Sequence, residues 1–307
     1  MRDAFAEVLG ELSEERNDLY LITSDISPAS KLHKFVNNLP DRVIDAGISE
    51  QLMIGMASGL AMQGFKVFAY TIANFSLFRP FEQLRIDLSY QNLPVTVVGV
   101  GAGLSYSALG YTHHSPDDVG VISNLPNFNI ITPSDPIEVK NSVRAILDLK
   151  TPSYLRLGKS GEPNLTSRSP DEFKLGICRR IKSNNDFKNE VSIVTYGPIL
   201  DWVIDITAQH DVDIYNVTSI VPFPKKDLEN IFGKYRKVMI IEEHFELTGL
   251  SSIIKNKINP DFWKDKIIPC GLNFSQPHNY GTQEDVRNFY GLTKEKVLKS
   301  LISEEFR

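Results

Sequence analysis

Short hydrophobic runs rich in β-branched residues alternate along this chain with longer stretches whose apolar positions recur at helical spacing. The first half has such runs at residues 18–25, 65–71, 94–101 and 128–135, each ending in polar residues or glycine. The runs predict strands and the stretches between them predict helices. Strand alternating with helix predicts a parallel sheet that is covered by helices on both faces.

A second alternation occupies the last third of the chain. Residues 191–197, 212–223 and 237–244 predict strands, and residues 200–209 and 226–235 predict helices. The pattern again favours a mostly parallel sheet with flanking helices, smaller than the first.

Between the two alternations, residues 160–173 are rich in Pro, Ser and Gly, which is typical of an exposed crossing between domains. At 307 residues the chain is also longer than the ~250 at which single cores stop growing. We therefore predict two α/β domains, at residues 1–165 and 185–307, with a linker at 166–184.

The composition argues against several classes of protein, among them nucleic-acid-binding and membrane proteins. A net charge of -5 provides no basic surface for nucleic acid or for an anionic membrane. No apolar run approaches the ~18 residues that a membrane span needs, and the N-terminus reads as a charged amphipathic helix, so we expect a cytoplasmic protein. Cys178 and Cys270 have neither zinc-site nor disulfide spacing, and no metal site is expected.

One acidic residue stands out against an apolar background. Residues 45–64, DAGISEQLMIGMASGLAMQG, predict a helix rich in Gly, Ala and Met that carries Glu50 at its start. We expect the Glu50 carboxyl to lie against an apolar wall, isolated from other charges. The alternative is a helix-end charge that merely favours the helix dipole beside a cap at Ser49.

Five motifs follow one another in the order seen in transketolases: GISEQ, MIGMASGLAMQGFKVFAYT, NFSLFRPFEQLR, GYTHHSPDD and ITPSDPIE. The chain thus resembles the C-terminal half of a transketolase, and most of all the separately encoded second subunit of bacterial split transketolases. The resemblance implies a pyrimidine-binding domain followed by the transketolase C-terminal domain. It also implies thiamine diphosphate and Mg²⁺ as cofactors.

The resemblance also implies roles around the cofactor. Glu50 matches the glutamate whose carboxyl bonds the pyrimidine nitrogen N1′ and makes the cofactor reactive. An aromatic face holds the pyrimidine, and Phe75 is the best match, with Phe78 and Phe81 left open by a one-residue insertion nearby. Their spacing would place the three phenylalanines on one helix face, where such a stripe is more often core.

Further candidates are polar. His113 matches a histidine that approaches the substrate and moves protons on its oxygens. Asp25 matches an aspartate close to the cofactor, although a loop-capping role is the simpler alternative. Arg79, Arg156 and Lys159 are candidates for binding the substrate, and each could equally be a solvated surface residue.

Two departures from the family pattern bear on the substrate. Leu109 and Gly101 stand where sugar-phosphate transketolases have an acidic residue and a histidine. The usual pentose phosphates are therefore in doubt, and a deoxygenated, branched or nucleotide-linked sugar would suit Leu109 better.

A third departure bears on assembly. The family holds the diphosphate through Mg²⁺ at a Gly-Asp-Gly motif, which this sequence lacks. We expect the metal and diphosphate contacts to come from a partner, the N-terminal transketolase subunit that carries this motif. The two chains would form an α2β2 complex in which copies of this chain meet as a dimer.

The resulting hypothesis is transfer of a two-carbon ketol unit from a ketose to an aldose, possible only with the partner. A β subunit of a 2-oxo acid dehydrogenase or a deoxyxylulose phosphate synthase-like enzyme would share the fold, the cofactor and Glu50. A non-catalytic binding subunit is the third alternative.

Overall fold

A computed structural model of the chain describes residues 1–26, 32–168, 171–183, 190–274 and 281–302. In these ranges the strands form two sheets of seven and five members, flanked by helices. Nearly all strand pairs are parallel, so the predicted α/β fold class with two mostly parallel sheets is confirmed.

The first half alternates strands and helices as the hydrophobic pattern predicts. Its strands are β1 (Leu19–Thr23), β2 (Val43–Asp45), β3 (Lys66–Ile72), β4 (Val95–Val100), β5 (Asn129–Ile131) and β6 (Ser153–Leu157). Its helices are α1 (Arg2–Glu15), α2 (His33–Asn38), α3 (Glu50–Met62), α4 (Ala73–Phe78), α5 (Phe81–Gln83), α6 (Asp118–Ile122) and α7 (Pro136–Ile146). A π-helix, Leu84–Tyr90, continues α5 directly.

The second half repeats the alternation on a smaller scale. Its strands are β7 (Cys178–Lys182), β8 (Val191–Thr195), β9 (Asp213–Val217), β10 (Ser219–Val221), β11 (Lys237–Phe245) and β12 (Ile267–Leu272). Its helices are α8 (Leu200–Ile206), α9 (Lys225–Lys234), α10 (Leu250–Lys257), α11 (Pro260–Trp263), α12 (Gln283–Phe289) and α13 (Lys294–Ile302).

The first sheet has the strand order β10-β5-β6-β4-β3-β1-β2. From β5 to β2 every neighbouring pair is parallel. The carboxyl ends of β4, β3, β1 and β2 therefore lie side by side at one edge of the sheet. In open parallel sheets ligands gather at this edge, so the loops after these strands form the place for a site.

The second sheet has the order β12-β11-β8-β9-β7, with only β7 antiparallel to its neighbour. β7 lies inside the segment that the sequence assigns to a linker, residues 166–184. The proposed domain bounds stay a prediction, although the second sheet recruits chain from before residue 185.

Residues 212–223, which the pattern predicts as strand, are divided between the two sheets. The chain forms β9 in the second sheet, turns at the buried Thr218, and then forms β10 in the first sheet, antiparallel to β5. At the crossing, Thr132 donates its backbone N–H to the Thr218 carbonyl at 3.2 Å. A β-rich pattern predicts extended backbone but does not specify which sheet the backbone joins.

Two apolar clusters cover the faces of the first sheet. On one face, α1 presents buried residues at helical spacing, Phe5, Leu9 and Leu12, to a cluster that includes α7. On the other, α3 and the π-helix pack in a cluster that continues into α9 and β11 of the second half. The two halves therefore share part of one hydrophobic core. None of the helices in the described ranges has the length and apolarity that crossing a membrane requires.

Candidate functional site at the carboxyl edge of the first sheet

Glu50 is held at the start of α3 by bonds to the ends of two neighbouring strands. The Ser24 hydroxyl, just after β1, donates to the Gly47 carbonyl at 2.8 Å and accepts from the Ser49 N–H at 3.2 Å. The Thr71 hydroxyl on β3 donates to the Ser24 carbonyl at 2.7 Å. These bonds fix the loop between β2 and α3, and the Glu50 carboxylate therefore lies at a defined helix N-terminus.

The Glu50 carboxylate is buried, but it is not isolated from other charges. Glu50 is only 4% exposed, and Nη1 of Arg79 donates to its Oε1 at 2.5 Å. The Arg79 side chain is itself 43% exposed. The expectation of a carboxyl with only apolar neighbours is therefore wrong, since a half-exposed guanidinium covers it.

Phe75 lies at the centre of the candidate site. The Cζ atom of Arg79 is 3.7 Å from the centroid of the Phe75 ring, and the His113 ring meets the same phenylalanine edge-on with centroids 5.2 Å apart. The neighbouring Asn74 amide donates to the Thr112 carbonyl. Side chains that follow β2, β3 and β4 are thus brought together, as the carboxyl edge of a parallel sheet predicts.

The three phenylalanines do not share one helix face, contrary to the prediction from their spacing. α4 ends at Phe78, and Phe81 begins the next helix after Pro80, since a proline cannot continue the preceding hydrogen-bond ladder. Phe78 is 39% exposed and Phe81 packs against the core shared by the two halves. Of the three, Phe75 is the one in contact with the guanidinium that pairs with Glu50.

The loop that carries His113 is braced from the second half of the chain. Glu243 on β11 accepts the Leu104 N–H at 2.9 Å, and Ser115 donates its N–H to the Gly103 carbonyl at 2.8 Å. Gly103 has φ +59°, and a Cβ there would lie 2.5 Å from Glu243 Oε2. Only glycine combines this left-handed backbone with so close an approach.

The two adjacent histidines have different environments. His113 is half-buried beside Phe75, and its Nδ1 lies 2.9 Å from the Thr112 hydroxyl. His114 is 2% exposed, and its Nε2 donates to the Ser107 carbonyl at 3.1 Å. Burial lowers the pKa of His114, so this ring stays neutral and serves the fold of the loop.

Arg156, a predicted substrate-binding residue, lies in the interior instead. It is 2% exposed, and its Nε donates to Asp118 Oδ2 at 2.8 Å, the same oxygen that accepts from the Tyr154 hydroxyl. Its guanidinium also lies 5.6 Å from the ring of Tyr196 in the second half. A guanidinium committed in this way is not available to a substrate, which corrects the expectation and assigns Arg156 to the contact between the halves.

Asp25 and Lys159 are exposed but are not placed against Phe75 by any contact in the structure's described part. Asp25 follows β1 with φ +57°, a conformation that aspartate tolerates in turns. Lys159 lines an open cleft of about 350 Å³ together with Glu162, Asp201 and Asp205. Arg287 also lines that cleft, and the role of Lys159 in binding the substrate stays a prediction.

Sequence reasoning missed Ser24, Asp118 and Glu243, although each left some signal. Ser24 ends a strand at the carboxyl edge, and Asp118 is part of the GYTHHSPDD motif. Glu243 gave the weakest signal, since it follows another glutamate on a strand of the second half. Across the residues that the structure describes, no three His, Cys, Asp or Glu side chains are grouped so as to hold a metal ion.

The profile of the transketolase pyrimidine-binding domain matches residues 1–163, more than half of the chain. The chain belongs to the transketolase family. The profile of the transketolase C-terminal domain matches residues 181–297, so both family domains are present in order. Membership in this family makes the chain a transketolase-like transferase and implies thiamine diphosphate as its cofactor.

Two relatives of similar length are a single subunit and a section of transketolases. One subunit of the apulose-4-phosphate transketolase of Phocaeicola vulgatus is 27% identical over 98% of this chain and 96% of its own length. A putative transketolase C-terminal section of Methanocaldococcus jannaschii is 26% identical over 99% of this chain and 96% of its own.

Solved structures agree with the family assignment. A split-gene transketolase, described as an inactive β4 tetramer, superposes with a TM-score of 0.82 at 25% identity, covering 98% of this chain and 96% of that one. The transketolase of Campylobacter jejuni has the same fold with a TM-score of 0.78 at 18% identity, and this chain covers 46% of it.

The geometry around Phe75 fits the pyrimidine half of the implied cofactor. A planar guanidinium with in-plane N–H groups already lies between the Glu50 oxygen and the Phe75 face. It stands in for a flat heteroaromatic ring that presents a nitrogen to the carboxylate and a face to the phenylalanine. Glu50 and Phe75 would therefore hold the pyrimidine, once Arg79 has moved.

Proposed function

We propose that this chain is the pyrimidine-binding subunit of a two-subunit transketolase that transfers a two-carbon ketol unit from a ketose to an aldose. The observation that carries the proposal is the pairing of a buried carboxylate, Glu50, with an aromatic face, Phe75, across one planar cation. Family membership supports the cofactor and the class of reaction.

Glu50 and Phe75 each have a defined task in this proposal. Bound thiamine diphosphate supplies the carbon nucleophile that accepts the two-carbon unit. Glu50 shares a proton with N1′ of the pyrimidine, and its burial at a helix N-terminus holds its carboxylate in a fixed orientation. Phe75 stacks on the ring and excludes water from it.

His113 is the proposed residue for substrate protons. Its ring is half-buried and contacts Phe75, while Nδ1 is oriented by the Thr112 hydroxyl. An imidazole can accept a proton from one substrate oxygen and return it to another. The buried His114 has no such freedom.

An exposed apolar surface supports the need for a partner. Around Glu50 the chain leaves large hydrophobic side chains in solvent on α3 and its surroundings, among them Ile48 at 75%, Leu52 at 52% and Met62 at 53% exposure. Tyr90, at the end of the adjoining π-helix, is 82% exposed. Several large apolar side chains exposed on neighbouring elements favour an interaction site on this part of the chain.

We infer that the occupant of this surface is the chain with the Gly-Asp-Gly motif, which would hold Mg²⁺ and the diphosphate. Two findings support this division: a relative of similar length is one subunit of a transketolase, and the similar β4 tetramer is described as inactive. An α2β2 complex would then complete the site from both chains.

The rim of the His113 loop supports a substrate with an apolar or branched portion. Leu109 is 56% exposed and Tyr111 is 37% exposed, on either side of Gly110. Neither side chain offers the charge that would recognise a sugar hydroxyl in place of an acidic residue. A deoxygenated, branched or nucleotide-linked sugar is the proposed substrate class.

Substitution of Glu50 by glutamine tests the proposed function. The complex reconstituted with the diphosphate-binding partner should lose ketol transfer by roughly 10²–10⁴-fold, since an amide cannot share the proton. Glu82→Gln is the matched control, because Glu82 is an exposed glutamate of the same region. Undiminished transfer by the Glu50 variant would reject the role of Glu50.

The rival reaction is decarboxylation of a 2-oxo acid. It is favoured by a 1-deoxy-D-xylulose-5-phosphate synthase of Clostridium tetani that is 25% identical over 97% of this chain, although the chain covers 48% of that enzyme. Release of CO₂ from pyruvate by the reconstituted complex, without ketol transfer from any ketose of a panel, would establish this alternative.

A further inference from the structure

Arg79 makes both contacts that the proposed function requires of the pyrimidine. Its Nη1 donates to Glu50 Oε1 at 2.5 Å, and its Cζ lies 3.7 Å from the Phe75 centroid. We propose, resting on the proposed function, that Arg79 is a gate, meaning a side chain that covers Glu50 and Phe75 until an aminopyrimidine displaces it.

The chemistry of the two occupants is closely matched. A guanidinium is planar and delocalised, donates hydrogen bonds in its plane and stacks on aromatic rings through its faces. An aminopyrimidine presents the same two surfaces, a nitrogen edge and a flat face. The site therefore cannot distinguish them by shape, and the two must compete.

The closed gate also solves a problem of the empty site. Glu50 is 4% exposed, and a buried carboxylate without a counter-charge is costly. Arg79 supplies that charge while no cofactor is bound. A bound pyrimidine that donates its own N–H would make the guanidinium redundant at this oxygen.

Arg79 is placed so that it can leave. It follows the last residue of α4 and precedes Pro80, and 43% of its side chain is in contact with solvent. Among the described residues, its side chain is held by one ion pair and one cation–π contact, and its backbone carbonyl accepts from Gln51 Nε2 at 3.4 Å. Opening exposes the guanidinium to water and does not require a change in the backbone of α3.

A gate lowers the apparent affinity of a ligand by the fraction of molecules that are closed. The test is titration of the isolated chain with 4-amino-5-hydroxymethyl-2-methylpyrimidine, followed by nuclear magnetic resonance. Arg79→Ala should bind this probe about tenfold more tightly than the unchanged chain, which corresponds to a gate closed in about nine molecules of ten.

Arg85→Ala is the matched control. Arg85 also pairs with a glutamate in this region, Glu82 at 3.5 Å, but the two side chains are 59% and 65% exposed. Its substitution should leave the affinity for the probe unchanged. Equal affinity of the Arg79→Ala and unchanged chains would overturn the gate, and weaker binding by Arg79→Ala would make Arg79 a ligand contact instead.

Failure of the proposed function has a different signature. If neither the unchanged chain nor Arg79→Ala binds the aminopyrimidine, the pyrimidine site is rejected and the gate with it. Binding without a difference rejects the gate alone.

A second measurement needs no ligand. Thermal unfolding of Arg79→Ala, Glu50→Gln and the double variant should show coupling. The loss of Tm in the double variant should be smaller than the sum of the two single losses by about 2 °C or more. Additive effects would mean that the closed arrangement is not populated and would overturn the proposal.

Discussion

Two arginine–carboxylate pairs in this protein use the same chemistry in opposite settings. Arg79 and Glu50 form a single bond at the rim of the candidate site, with the guanidinium 43% exposed. Arg156 and Asp118 lie 2% and 0% exposed between the two halves of the chain. From sequence alone both arginines were candidates for binding the substrate, yet their surroundings give them different tasks.

The difference lies in the number of partners and in the access of water. The Asp118 carboxylate also accepts hydrogen bonds from the Tyr154 hydroxyl and from the backbone N–H of Val119, so the inner pair belongs to a network. The outer pair has one ion-pair bond and one stacked ring. A buried network holds its members in place, whereas a half-exposed pair can exchange with a ligand at little cost.

The largest expected effect separates the two pairs by stability. Arg156→Met should lower the free energy of unfolding by about 3–5 kcal/mol, because it leaves Asp118 charged in the interior. Arg79→Met should cost only about 1–1.5 kcal/mol, the free energy of a contact formed in about nine molecules of ten, because water reaches Glu50 when the guanidinium is removed. Urea unfolding of the two variants measures both values, and equal losses would refute the distinction.

Acidification should affect the inner network. Burial lowers the pKa of His244, which lies 3.8 Å from Asp118, to about 4 from its ordinary 6.5. The unfolded chain therefore takes up this proton at a higher pH than the folded one. The stability contributed by His244 is fully present above pH 6.5 and is lost as the pH falls towards 4, by up to about 3 kcal/mol.

Replacing His244 by glutamine should flatten that pH dependence. Urea unfolding at several pH values between 7 and 4.5 gives the comparison with the unchanged chain. The exposed His33 is the control, and His33→Gln should leave the slope as it was. The same slope in the His244 variant would show that other groups cause the acid loss.

A smaller effect is expected where the second half braces the His113 loop. Gly103→Ala should cost about 1–3 kcal/mol, because the new Cβ meets Glu243 and φ is positive. At Gly59 on α3 no atom lies within 4 Å of a built Cβ, so Gly59→Ala should instead stabilise the helix by up to about 1 kcal/mol. Thermal unfolding should show opposite signs.

The smallest effect concerns salt. The stability loss caused by Arg79→Met should shrink by a few tenths of a kcal/mol when NaCl is raised to about 1 M, since salt screens exposed pairs. The loss caused by Arg156→Met should not change, because ions do not enter that network. Urea unfolding of both variants at low and high salt measures these losses. A salt-dependent loss in Arg156→Met and a salt-independent loss in Arg79→Met would contradict the prediction.

Much of the candidate site followed from strand ends. Phe75 and His113 could be brought together because each follows a predicted strand of one parallel sheet, whereas Glu50 follows β2, which the hydrophobic pattern did not predict. The family motifs identified all three positions. The sequence did not reveal that Glu50 has a charged partner. Its contact with Arg79 spans 29 residues and depends on where Pro80 ends a helix.

The burial of Arg156 was hidden for a different reason. Tyr154 and Arg156 are two residues apart on β6, so their side chains lie on the same face of the sheet. The local sequence does not specify what covers that face. Asp118 and Tyr196 provide the cover from other parts of the chain. Long-range packing of this kind is absent from local periodicity.

The strand β10 has a consequence for dividing the molecule. It is encoded after most of the second sheet, yet it forms the outer edge of the first by pairing with β5. A fragment that stops before it would leave the backbone groups of β5 bare and open to association with other chains. The two halves therefore cannot be exchanged independently between related proteins. A chimaera would need β10 and the first sheet to come from the same parent.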